Sequence, residues 1–181
     1  MQRKEKKTLL LVMIALLTFL TVGCGTKSKE TELTILAAAS LTDVCNEIKA
    51  QYEEQNPGIT LTFSYGGSGA LQTQIEEGAP ADIFMPAAAG QMTALQEQGL
   101  MDDDSVISLL ENKVVMIVPR NSSLALTSFE DAATDQVAII GLGEPESVPV
   151  GQYAEEIFTT LGIWDAIKVK ANYGSDVRTV L

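Results

Sequence analysis

The stretch Leu33-Thr34-Ile35-Leu36-Ala37-Ala38-Ala39-Ser40-Leu41-Thr42-Asp43 constrains the fold of this chain more than any other. Its first four residues are strand-like. After it, apolar residues fall at Leu41, Val44, Cys45, Ile48 and Tyr52, the spacing of one helix face, so the segment reads as strand, tight turn, helix. Ser40 stands where an N-cap belongs, and Asp43 three residues later completes a capping-box pattern. Three alanines leave the backbone approachable. A helix mouth with free N–H groups, a hydroxyl and the positive end of a dipole suits an anion. An ordinary capped helix has the same appearance, so the stretch alone does not define a site.

The same grammar recurs. Asn56-Pro57-Gly58 breaks the first helix. Leu61, Phe63 and Tyr65 alternate with polar residues, which predicts a strand over 60–65. Gly66-Gly67-Ser68-Gly69 follows at once, and Leu71 with Ile75 opens another helix. In a parallel sheet both helix mouths lie at one edge, outside the carboxyl ends of the strands, where α/β sheets take their ligands.

Gly78 to Met85 reads as a loop entering a short buried strand, and Met92 with Leu95 marks a helix ending near Gly99. Val114-Val115-Met116-Ile117-Val118 is apolar without alternation, the pattern of a fully buried strand ended by Pro119. It is the expected crossing between two lobes. Val137 to Ile140 then predicts a strand, residues 141–151 a turn-rich loop, and Tyr153, Ile157, Phe158 and Leu161 a helical stripe ended by Gly162. A further strand is expected from Val169, and Ser175-Asp176-Val177-Arg178 looks like a capped helix start. Four strand–loop–helix units in two groups make a two-lobed α/β architecture, with lobes at 33–112 and 113–181.

Residues 2–7 are mostly basic and precede an apolar run, Thr8 to Val22, too short to span a bilayer comfortably. The run ends Thr21-Val22-Gly23-Cys24, which resembles a bacterial lipoprotein signal. Thr21 departs from the aliphatic residue usual there. The expectation is a signal peptide over 1–23, a lipidated Cys24, and a polar tether over 24–32. A plain secretory signal is the alternative. Cys45, on the apolar face of the first helix, reads as a small core residue.

Composition excludes several functions. Net charge is −12. Arg3, Lys4, Lys6 and Lys7 outnumber Glu5 in the leader, so the rest is more acidic still, which argues against nucleic acid as a partner. With no histidine, Ser-His-Asp and Cys-His catalysis are absent from this chain. A serine hydrolase built on Ser68 would need that base. No Walker loop or dinucleotide fingerprint occurs. Asp102-Asp103-Asp104 lacks calcium-loop spacing and reads as solvated surface.

The stretches AAASLTDV at 37–44, GGSGALQTQIEEGAPADIF at 66–84, GEPESVPVGQYA at 143–154, LGIWD at 161–165 and SDVR at 175–178 are similar to those of the periplasmic molybdate-binding protein of ABC molybdate importers. They span most of the chain in family order. The resemblance implies a two-lobed periplasmic-binding-protein fold of the type II kind that closes on molybdate or tungstate. It implies no enzyme activity and no cofactor. The ligand set it implies is Ser40 and Ser68 through hydroxyl and amide, and Val150 and Val177 through backbone N–H. Molybdenum would be held only as its oxyanion. Val150 departs from the alanine common in the family. A tyrosine hydroxyl in many members would lie beyond Leu181, and with it the rest of the second lobe and a return crossing. The implied partners are the oxyanion, a membrane permease of an ABC importer and a lipid anchor, with the receptor a monomer outside the cytoplasm. A receptor for another tetrahedral oxyanion such as sulfate is the alternative, and a purely adhesive lipoprotein a further one.

Overall fold

The computed structural model describes residues 30–181. The first sheet has the order β2-β1-β3. Its centre is β1 (Thr31–Ala38), whose residues alternate between two apolar clusters, as a strand covered on both faces requires. Leu36 packs with Leu71, Ile75, Phe84 and Leu95. Ile35 and Ala37 pack with Leu61. The short β3 (Ile83–Met85) runs parallel to β1, with Leu36 opposite Phe84. On the other side of β1 lies β2 (Ile59–Gly66).

The helices α1 (Thr42–Gln55), α2 (Ser68–Glu76) and α3 (Ala89–Glu97) follow β1, β2 and β3 in turn. Asn56-Pro57-Gly58 ends α1 as expected, with Gly58 at φ +97° supplying a conformation that other residues resist. Leu71 and Leu95 are almost wholly buried, each contributing about 1.5–3 kcal/mol of transfer free energy.

A second, two-stranded parallel sheet pairs β4 (Ile140–Gly143) with β5 (Ala171–Gly174). Between them run α4 (Pro149–Thr160) and the short α5 (Trp164–Lys168); α6 (Val177–Val180) follows β5. The cluster of Leu142, Ala154, Phe158, Ile167 and Ala132 forms its core. Phe129 meets Phe158 edge to face, centroids 6.1 Å apart. Among the described residues five strand–loop–helix units are present rather than four, and β3 with α3, foreseen as a short strand and a helix, is one of them.

Several expectations need correction. Val114 to Val118 is not a buried strand: it carries no regular structure, and Val115 and Ile117 are 71% and 67% exposed. An apolar run becomes a buried strand only where neighbouring strands take up its N–H and C=O groups. Among the described residues neither sheet offers such a neighbour. The strand expected at 137–140 begins at Ile140 and runs through Gly141-Leu142-Gly143, and the one expected from Val169 begins at Ala171. Glycines disguised the first of these, because they remove the side-chain pattern on which a strand is recognised.

The Ser40 capping box does not form. A 3-10 turn over Ala39–Leu41 precedes α1, which moves the helix start to Thr42 and takes Ser40 out of capping reach. The Thr42 hydroxyl donates to the Ala39 carbonyl instead, at 2.7 Å. Of the apolar face foreseen for α1, only Cys45 is buried; Val44, Ile48 and Tyr52 are about half exposed. Thr31 and Glu32, assigned to the tether, already belong to β1. Cys24 and the expected signal peptide lie outside the described residues.

Candidate functional site

The segments that follow the five strands all open onto one cleft of about 780 Å³. β1 brings Ser40, β2 brings Ser68, β3 brings Ala87, the loop after β4 brings Val150, and the turn after β5 brings Val177. Ser40, Ser68, Val150 and Val177, scattered over the sequence, thus open onto a single space.

Each presents different chemistry. Ser68 is 1% exposed and is the first residue of α2. Its hydroxyl oxygen accepts a hydrogen bond from the Ala87 N–H at 2.9 Å. With that lone pair engaged, the hydroxyl proton is free to be donated into the cleft. Ser40 is exposed, in the 3-10 turn at the mouth of α1. Among the described residues its side chain has no hydrogen-bond partner. Val150 is the second residue of α4, after Pro149 at the first position. Val177 is the first residue of α6. Neither N–H has a carbonyl four residues back within its own helix, so both remain as donors.

The α6 mouth is the one that forms a true capping box. The Asp176 carboxylate accepts from the N–H groups of Arg178 and Thr179 at 2.7 and 3.0 Å. Thr179 returns a hydroxyl oxygen to the Asp176 N–H at 3.1 Å. This fixes the turn while leaving the Val177 N–H unused by the cap. Proline at the start of α4 acts similarly, since its ring presets the backbone and it has no N–H to satisfy.

No aspartate or glutamate lines the cleft among the described residues. The lining is mostly apolar side chains, hydroxyls and backbone, with Asn112 and Lys113 also on it. Such a surface can offer an anion oriented donors and helix ends, and Lys113 is the one cationic side chain on it among the described residues. Elsewhere, Asp103 and Asp104 sit on an exposed 3-10 turn that Asp102 precedes, and among the described residues no group of histidine, cysteine, aspartate or glutamate could hold a metal ion. Cys45 is buried, and desolvation raises its thiol pKa, which disfavours the reactive thiolate.

Three contacts escaped the sequence reading, all between elements of the first sheet and elements of the second. The Gly69 N–H donates to the Ser147 carbonyl at 2.9 Å. Arg178 pairs with Asp43 at 3.0 Å. Gln91 donates to Gln152 at 3.3 Å, and its own Oε1 is buried without a partner. Asp43 carried a signal, but as a member of a capping box. The other partners had none, since their pairing depends on how two distant loops meet.

Comparison with known proteins adds a second line. A family model described as bacterial extracellular solute-binding protein matches residues 33–181. A Bacillus subtilis protein provisionally named as an ABC transporter substrate-binding lipoprotein, YvgL, is 42% identical over 178 residues, covering 94% of this chain and 68% of its own length. The molybdate-binding protein ModA of Haemophilus influenzae is 38% identical over 155 residues, covering 83% of this chain and 60% of its own length. Among solved structures, the substrate-binding domain of a provisionally assigned molybdenum ABC transporter from Clostridium difficile superposes with a TM-score of 0.57 at 41% identity. That match covers 82% of this chain and 64% of the other. The chain thus spans 60 to 68% of the length of these three relatives.

Proposed function

We propose that this chain, which belongs to the bacterial extracellular solute-binding protein family, is the receptor portion that takes up molybdate, and tungstate with it, for delivery to an ABC import permease. Proteins of this family are receptors, not enzymes. The fold is part of a two-lobed periplasmic-binding-protein architecture. The observation that carries the reading is the convergence of Ser40, Ser68, Val150 and Val177 on one cleft that, among the described residues, no carboxylate lines. A tetrahedral dianion needs several convergent donors, and two serine hydroxyls with the amides of helix mouths supply them. The names of the Haemophilus influenzae and Clostridium difficile relatives point to the same element.

On this reading Cys24 carries the lipid that holds the receptor outside the cytoplasm at the membrane, beside its permease. The decisive experiment is calorimetric titration of the chain with molybdate, tungstate and sulfate at fixed salt. Binding of molybdate and tungstate, with sulfate weaker by tenfold or more, is expected. A preference for sulfate would replace the reading with that of a sulfate receptor, and no heat with any of the three would overturn it.

A further inference from the structure

We propose that Gly69 is a positioning residue for the cleft: its bare α-carbon seats the Ser147 backbone, and this seat sets the distance between the donors on the two sheets. The inference rests on the oxyanion reading above for its binding test and on geometry for the rest. Gly69 follows Ser68 at the mouth of α2, and Ser147 stands three residues before Val150 at the mouth of α4. Their hydrogen bond, N–H to carbonyl at 2.9 Å, therefore ties together two turns that each carry a donor. Because the Gly69 amide is spent on Ser147, it is no ligand for an anion.

Glycine is not needed here for its backbone angles. The glycines with positive φ are Gly58, Gly78, Gly99 and Gly162; Gly69 lies within α2, where alanine is the better helix former. What excludes a side chain is the neighbour. A Cβ on Gly69 would lie 2.7 Å from the Ser147 carbonyl oxygen, 2.9 Å from its Cα and 3.1 Å from its carbonyl carbon. All three are backbone atoms, so no rotamer change relieves the clash, and the Ser147 loop must move away. The other links across this junction are slighter. Arg178–Asp43 is a solvent-exposed ion pair, of the kind worth little, and Gln91–Gln152 is long for a hydrogen bond. Gly67, where a Cβ would lie 2.7 Å from the Ser175 carbonyl oxygen, makes a second approach of this kind; the two sheets' turns thus meet backbone against backbone, and glycine permits it.

The test compares Gly69→Ala with Gly90→Ala in the full chain. Gly90 also lies in the first turn of a helix, but a Cβ there meets nothing within 4 Å. Gly69→Ala is expected to unfold in urea at the same or a higher midpoint while binding molybdate at least tenfold more weakly. Gly90→Ala should leave molybdate binding unchanged. Amide hydrogen exchange without ligand gives a readout independent of function: the Gly69 amide is expected to be protected in the parent chain, and the 144–152 segment to exchange faster in Gly69→Ala. If the parent takes up no molybdate, the functional reading fails while exchange still judges the seat. Fast exchange at Gly69 in the parent, or Gly69→Ala matching the parent in both readouts, would overturn the proposal. So would loss of folding in Gly69→Ala, since the contact would then belong to folding and not to spacing.

Discussion

Replacing Ser68 by alanine separates binding from stability. The hydroxyl makes one contact within the protein, accepting from the Ala87 N–H at 2.9 Å, and its proton is left for the cleft. Losing a hydrogen bond to a charged ligand costs about 1.5–3 kcal/mol, or roughly 10- to 150-fold in dissociation constant. The same change strands the Ala87 N–H. Ala87 is itself exposed, so water can take over part of that bond, and a stability loss of about 1 kcal/mol is expected. Ser40→Ala makes the contrast. Its side chain is exposed and the α1 mouth is held by Thr42, so affinity should fall over the same range while stability stays within about 0.5 kcal/mol of the parent. Calorimetric titration with molybdate, paired with urea unfolding of each variant, measures both quantities. Affinity of Ser68→Ala within twofold of the parent would refute the donor role of the hydroxyl.

Oxyanion affinity should be nearly flat between about pH 6 and 9, because the proposed donors are hydroxyls and amides and the chain has no histidine; a titration series in calorimetry checks this, and a steep profile would reveal an ionisable ligand. The Asp131 carboxylate accepts from Thr127 and Ser128, which lowers its pKa. Its stabilisation is present above the ordinary carboxylate pKa and lost as pH falls through the lowered folded value, so Asp131→Asn should flatten the acid limb of a stability–pH curve below about pH 4. Leu71→Ala, emptying an almost fully buried site, should cost about 2–5 kcal/mol in urea unfolding. Mass spectrometry of the mature N-terminal peptide should find acyl chains on Cys24, and an unmodified cysteine there would remove the anchor from the proposal.

The elements legible in the sequence were those whose side chains carry a period. β1, β2, α2, α3 and α4 lie within a few residues of their expected places because Leu61-Phe63-Tyr65 alternates and Tyr153-Ile157-Phe158 follows a helical stripe. β4 was displaced because two of its four residues are glycine. Val114 to Val118 misled for the opposite reason: its apolar pattern is strong, but burial depends on partners that no local pattern reports. The candidate site was legible as residue types at helix mouths. Its fine geometry was not, since the bond of Ser68 to Ala87 and that of Gly69 to Ser147 join residues that no periodicity relates.

The absence of a carboxylate from the cleft lining among the described residues has a consequence for which oxyanions can enter. A cleft read mainly through N–H and O–H donors favours guests that offer only lone pairs. Near neutral pH, molybdate, tungstate and sulfate are fully deprotonated, whereas phosphate keeps at least one hydrogen. That hydrogen needs an acceptor: Ser68 already has one oxygen lone pair engaged by Ala87, and if the Ser40 hydroxyl donates to the guest as proposed, the hydrogen goes unmatched. An unmatched buried hydrogen-bonding group costs about 1–3 kcal/mol, enough to handicap hydrogen phosphate by roughly 5- to 150-fold. Protonation state, rather than size or total charge, would then keep an abundant nutrient anion from competing with a scarce one.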